Sequence, residues 1–252
     1  MTCYAWRKGG KAEELCEHLL GTYEVAKRTW ELEALSRKVS KLTGLDAEEC
    51  REAILAAALL HDVGKAAVEY QVECAKGCCE SFPGHYLVST LYAYVTVKEG
   101  LGIAAPRDYS RLARILSGKE SVERGVFGAL LILLPVALHH YHQILSYQSL
   151  RYQGDEECAR ARHTVHAACH PCLKKLAEFI KSSFSRLNGL EKVGELPQLL
   201  SRRETLIQAL IFVQNLGDAM RCSEASSLSL AIEAAAGIVN LSDGEVAAKA
   251  RR

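Results

Sequence analysis

An acidic residue on the buried side of an apolar helix constrains this chain more than any other feature. Asp46-Ala47-Glu48-Glu49 reads as a helix start, with Asp46 as N-cap and Glu49 three residues on. In the stretch that follows, Ile54, Leu55, Ala58, Leu59 and Asp62 recur at helical spacing, so Asp62 shares the face that enters the core. An unpaired carboxylate is costly there, and a cation or metal ion is the simplest remedy. The residue before it is His61, and adjacent helical side chains diverge by about 100°, which lets imidazole and carboxylate reach two sides of one small cavity. Both are ligands for borderline to hard divalent ions, and a carboxylate has two oxygens with which to bridge a pair of them.

The rest of the chain reads as helix after helix. Apolar helical spacing recurs over 15–35, 87–97, 130–145, 173–187, 199–216 and 228–239, with no regular β-alternation and no recurring hairpin turn. The 88–97 stretch is β-branched, yet Tyr92, Ala93 and the flanking pattern favour helix. Loop-like breaks fall at 74–83, 100–107, 154–158 and 188–197, and the Ala/Arg-rich end after Asp243 is expected to fray. The expectation is an all-α helical bundle, a single domain over 1–252, with a metal site in a central cleft. At 252 residues one core is feasible.

Further candidate ligands are dispersed along the sequence. His18 precedes the doublet, His85 follows Pro83-Gly84, His139-His140 closes the apolar run from Val126, and Asp218 ends the helical stretch before it. His142 shares a helical face with His139 and is an alternate ligand. Glu224 and Asp243 are neighbouring carboxylates, and the place of Asp218 after an apolar helix favours it.

The series H…HD…H…HH…D, with the Gly64-Lys65 tail, resembles the HD superfamily of metal-dependent phosphohydrolases, and most of all the HD nuclease of type I CRISPR interference in its separate-subunit, mainly archaeal form. The resemblance covers about 18–218. It implies one metal held by His18, His61, Asp62 and Asp218, and a second held by Asp62, His85, His139 and His140, with Asp62 bridging. Manganese, nickel, cobalt, iron and magnesium all fit such ligands. Two ions of this kind activate water for in-line attack at phosphorus. Lys65 is implied as a catalytic contact to a phosphate oxygen. The implied substrate is single-stranded DNA, with RNA as a further possibility. No G-x-x-x-x-G-K-[ST] occurs, so unwinding falls to a separate helicase subunit, working with a guide-RNA surveillance complex. Alternatives are a phosphohydrolase of nucleotides or cyclic nucleotides, and a non-catalytic assembly subunit with a structural metal site.

Composition narrows the partners. With 31 Lys+Arg against 30 Asp+Glu, general electrostatic attraction to nucleic acid is absent, so any binding needs local patches, metals or a delivering partner. Basic residues gather at Arg107, Arg111, Arg114, Lys119 and Arg124, and at Arg160, Arg162, Lys174 and Lys175, with a solvated helix face as the plainer meaning. The start has no secretory layout, and Pro135 interrupts an apolar run shorter than the roughly 20 residues that span a bilayer. A cytoplasmic protein without membrane contact is expected. The ten cysteines then default to free or buried thiols. A structural zinc or disulfides drawn from Cys74, Cys78, Cys79, Cys169 and Cys172 are the alternatives. Scarce Asn and Met leave room for a thermophile, in which intracellular disulfides occur.

Overall fold

A computed structural model describes residues 2–77, 79–140 and 166–251. It is all-α apart from one N-terminal hairpin, β1 (Tyr4–Lys8) and β2 (Lys11–Glu14). The helices are α1 (Leu15–Arg28), α2 (Trp30–Thr43), α3 (Ala47–Leu60), α4 (Val68–Ala75), α5 (His85–Leu101), α6 (Tyr109–Leu116), α7 (Arg124–Leu138), α8 (His170–Ser183), α9 (Leu196–Leu199), α10 (Arg203–Cys222) and α11 (Ser227–Arg251). Two 3-10 helices, Val63–Ala66 and Asn188–Glu195, complete the described elements.

The N-cap expected at Asp46 is present: its side chain accepts from the Glu49 amide at 2.8 Å. From there α3 is buried on nearly every face, as are α5 and α7, the signature of central helices. Two threonines make the β-branched α5 tolerable inside the core. Thr90 and Thr96 donate their hydroxyls to the carbonyls of Tyr86 and Tyr92, one turn back. Around these three lie α1, α2 and α11 on one side and α10, α8 and the second 3-10 helix on the other. One continuous apolar cluster runs from Cys3 to Val239, and a small satellite of Cys74, Cys79 and Phe82 sits beside it.

Four local expectations are corrected. The stretch 15–35 is two helices, because Thr29 turns extended and its hydroxyl donates to the Ala26 carbonyl at 2.7 Å, in place of a continuing helical bond. A hairpin does occur. Gly9 and Gly10, both at positive φ (57° and 84°), supply the two-residue turn that pairs Lys8 with Lys11. The end after Asp243 is helical to Arg251, packed on α1. Four cysteines are not thiols: Cys3 bonds Cys169 and Cys74 bonds Cys79. Cys16, Cys50 and Cys172 are free. Among the described residues the Cys169-His170-Pro171-Cys172 run therefore forms no cysteine metal site, since its first sulfur is spent on Cys3. Cys78 and His142 lie outside the described residues, as do Arg160 and Arg162.

Two glycines fix how closely elements approach. A Cβ at Gly64 would stand 2.3 Å from the Ser89 amide nitrogen and 2.7 Å from the His85 carbonyl, so only glycine lets the first 3-10 helix lie against the start of α5. Gly100 and Gly189 meet backbone to backbone in the same way, and a Cβ on Gly100 would fall 1.9 Å from the Gly189 carbonyl oxygen.

Candidate metal centre

The C-terminal ends of two helices and the first turns of two others deliver imidazoles to one point. His18 sits in the first turn of α1, His61 caps the C-terminus of α3, His139 caps that of α7, and His85 opens α5. Asp62, just past α3, is 1% exposed and stands in the middle.

Its two oxygens divide the cluster. Asp62 Oδ1 lies 3.0 Å from His85 Nε2 and 3.4 Å from His139 Nε2. Asp62 Oδ2 lies 3.1 Å from His18 Nε2 and 3.4 Å from His61 Nε2. Asp243, on α11, joins the second half, with Oδ1 3.1 Å from His18 Nε2 and 3.7 Å from His61 Nε2. His140 joins the first, its Nε2 2.8 Å from that of His85 and its ring against His139. Two groups of donor atoms result, Asp62/His85/His139/His140 and His18/His61/Asp62/Asp243, each with its atoms within 4.8 Å of one another.

The outer nitrogens explain why the inner ones are ligand-like. His61, His85 and His139 each donate Nδ1–H to the carbonyl three residues back, Ala58 at 2.8 Å, Phe82 at 2.5 Å and Val136 at 2.6 Å. In His61 and His139 these carbonyls belong to the last turn of the helix, where intrahelical amides run out. His18 donates instead to the Glu13 carboxylate at 2.9 Å. With Nδ1 so engaged the neutral ring carries its lone pair on Nε2, and four such lone pairs face one another and Asp62. His18 and His61 Nε2 approach to 3.3 Å, which is repulsive unless a proton or a metal ion lies among them. The donor set therefore fits divalent metal.

Protonation follows the same division. Burial opposes charge on His18 and His61, yet for His18 the hydrogen bonds it donates to Asp243, Asp62 and Glu13, and for His61 the negative charge of Asp62 with hydrogen bonds donated to Asp243 and Asp62, outweigh it and raise both. Burial would raise Asp62, but Lys65, His61 and His85 hold it well below the carboxylate range. Asp243 is likewise depressed against burial by His18 and His61. In the other half burial dominates: His139 is lowered, and His140 is pushed down to about 2.

Of the residues singled out from sequence, the structure brings together His18, His61, Asp62, His85, His139 and His140. Asp243 stands with them, and Asp218 does not. Asp218 belongs to α10, which packs on α5 and α6, whereas α11 lies across α1 and α3, the helices that bear His18 and the doublet. Lys65 is buried and points inward, its Nζ 2.5 Å from Asp62 Oδ2 and over the Phe82 ring. The first basic cluster is largely paired: Arg111 and Arg114 hold Glu120, and Lys119 holds Glu224.

Two residues behind the centre escaped sequence reading. Glu13 has the role just given. Glu52, buried on α3, accepts from the Ser185 amide and hydroxyl and from the amides of Arg186 and Leu187, tying the helix that ends in the doublet to the loop after α8. For Glu52 the only local signal is a charge within an apolar stretch.

Fold and centre together define an all-helical protein with a histidine and aspartate site suited to divalent metal. A family model described as Cas3, HD domain matches residues 5–213, and the chain belongs to that family of metal-dependent, CRISPR-associated HD nucleases. The match ends before both Asp218 and Asp243. No curated protein and no solved structure matches the chain. No helix among the described residues is long and apolar enough to cross a membrane.

Proposed function

We propose that this chain is a nuclease that hydrolyses phosphodiester bonds of single-stranded DNA in CRISPR interference, as one functional unit in the cytoplasm, on strands supplied by a separate helicase and a guide-RNA surveillance complex. The observation that carries the reading is the convergence of Nε2 lone pairs on both oxygens of Asp62, with three outer nitrogens pinned by carbonyls and one by a carboxylate. Two divalent ions, of the manganese, nickel, cobalt, iron or magnesium class, would be held by His18, His61, Asp62 and Asp243 and by Asp62, His85, His139 and His140. When bound they activate a water and stabilise the leaving oxygen of an in-line displacement.

The chain's own residues do the rest. Asp62 fixes the spacing of the two halves, and its partner Lys65 keeps that carboxylate ionised and oriented in a dry setting. Neutral His139 and His140 keep lone pairs available without giving up a proton. The balanced net charge and the paired surface cations fit a strand handed over by a partner better than one captured by long-range attraction.

The test is degradation of an end-labelled single-stranded DNA with manganese, with RNA, duplex DNA and cyclic nucleotides in parallel. Asp62→Ala and Asp243→Ala are expected to abolish cleavage and Asp218→Ala to retain it. An active Asp62→Ala protein refutes the metal mechanism, and preferred turnover of cyclic nucleotides refutes the choice of DNA.

A further inference from the structure

The carboxylate behind His18 sets one half of the centre apart. Glu13 lies on β2, is 7% exposed, and accepts the Nδ1–H of His18 at 2.9 Å. The other three pinned histidines lean on neutral backbone carbonyls, and His140 Nδ1 is buried with no hydrogen-bond partner among the described residues. A carboxylate acceptor does two things a carbonyl does not. Its negative charge makes the imidazole a stronger donor at Nε2, and it favours a positive charge placed beyond the ring.

Glu13 is held in place by more than its bond to His18. The Leu15 amide, just beyond it, donates to the Cys3 carbonyl at 2.8 Å, and Cys3 is bonded to Cys169 beside α8. The Tyr4 amide donates to Gln71 Oε1 at 2.9 Å, and Arg7 exchanges backbone hydrogen bonds with Cys79. The hairpin is thus fastened to the body through its first strand, the second is tied to the first, and its one buried acid is spent on a ring of the centre.

We infer that Glu13 is a positioning residue for His18, and that it makes the His18/His61/Asp62/Asp243 half of the centre the tighter of the two, so that divalent metal fills this half first. The carboxylate count points the same way. That half faces Asp62, Asp243 and, through the ring, Glu13, whereas the other shares Asp62 alone with three imidazoles. The inference rests on the two-metal reading above, and it assigns an order of loading that this reading leaves open.

Calorimetric titration of the full chain with manganese, together with cobalt titration followed by visible absorption, separates the two. The native chain is expected to bind in two steps of unequal affinity. Glu13→Ala should weaken the first step by about 10–100-fold and leave the second within about threefold, with a changed cobalt spectrum in the first step only. Glu13→Gln keeps an acceptor oxygen and gives up the charge, so it should restore the cobalt spectrum and recover part of the lost affinity, remaining several-fold below the native chain. A native chain that binds no divalent ion overturns the two-metal reading itself. A native chain that binds two ions while Glu13→Gln, or a folded Glu13→Ala, loads as the native chain does overturns the role of Glu13 alone. Should Glu13→Ala fail to fold, the Gln variant decides by the same criterion.

Discussion

Substituting Gly64 by alanine tests whether close packing beneath the centre sets its geometry. The added Cβ would lie 2.3 Å from the Ser89 nitrogen and 2.7 Å from both the His85 carbonyl oxygen and the Val88 carbonyl carbon, where 3.4–4 Å is ordinary contact. These neighbours are backbone of the first turn of α5, so no flexible side chain can yield, and the two elements must part by about 1 Å. The same separation strains the hydrogen bond from the Gly64 amide to Ser89 Oγ, now 2.9 Å. Overpacking of this kind costs about 1–3 kcal/mol, equivalent for a chain of this size to a fall of roughly 2–12 °C in Tm. The larger effect falls on the centre. His85 opens α5 and its Nε2 stands 3.0 Å from Asp62 Oδ1, while metal–ligand distances tolerate only about 0.2 Å. Thermal melting by circular dichroism in chelator, followed by manganese calorimetry on the folded variant, should show the loss of Tm and a loss of affinity of at least tenfold, confined to the step that involves His85. A variant that melts within about 1 °C of the native chain and loads both metals normally would refute the reasoning.

Two further outcomes follow from the same geometry. Glu52→Ala removes the acceptor of the Ser185, Arg186 and buried Leu187 amides and of one hydroxyl, and should destabilise the chain by about 1.5–3 kcal/mol in urea unfolding; a loss under about 0.5 kcal/mol would show that water replaces the carboxylate. In chelator, stability should depend on pH from two sides. His18 and His61 are raised, so their contribution is complete below the usual histidine value of about 6.5 and is lost as pH climbs through the raised values. Asp62 and Asp243 are depressed, so theirs is present above about 3.9 and lost as pH falls through the depressed values. Because metal displaces the histidine protons, which the raised His18 and His61 hold above the usual histidine value of about 6.5, the gain in Tm on adding manganese should grow as pH climbs above that value, and a shrinking gain would contradict the assignment.

The helical class, the metal doublet and four other members of the cluster were legible because each carries a local signal. Asp62 breaks an apolar face, His85 follows a turn, and His139-His140 ends a run of core residues. Which distant helix completes the set was not legible, since periodicity tells which face of a helix is apolar and says nothing of which helix it meets. Asp218 and Asp243 both follow apolar stretches, and Ser242-Asp243-Gly244 reads locally like a helix stop. A usable signal existed: Ile232, Ala235, Val239 and Val246 continue the spacing through Asp243, so the stripe carries on past the apparent stop. The pairing of Cys3 with Cys169 was beyond reach for a related reason, because spacing along the chain does not select a partner 166 residues away.

The placement of Asp243 on α11 also orders events during synthesis. A chain emerging from the ribosome presents His18, the doublet, His85 and His139-His140 long before residue 243 appears. Until then one half of the centre lacks its second carboxylate, and α1 lacks the helix that covers it. The nascent chain is thereby withheld from completing its centre until residue 243 and the helix around it have been made, a delay written into the protein by the position of a single aspartate.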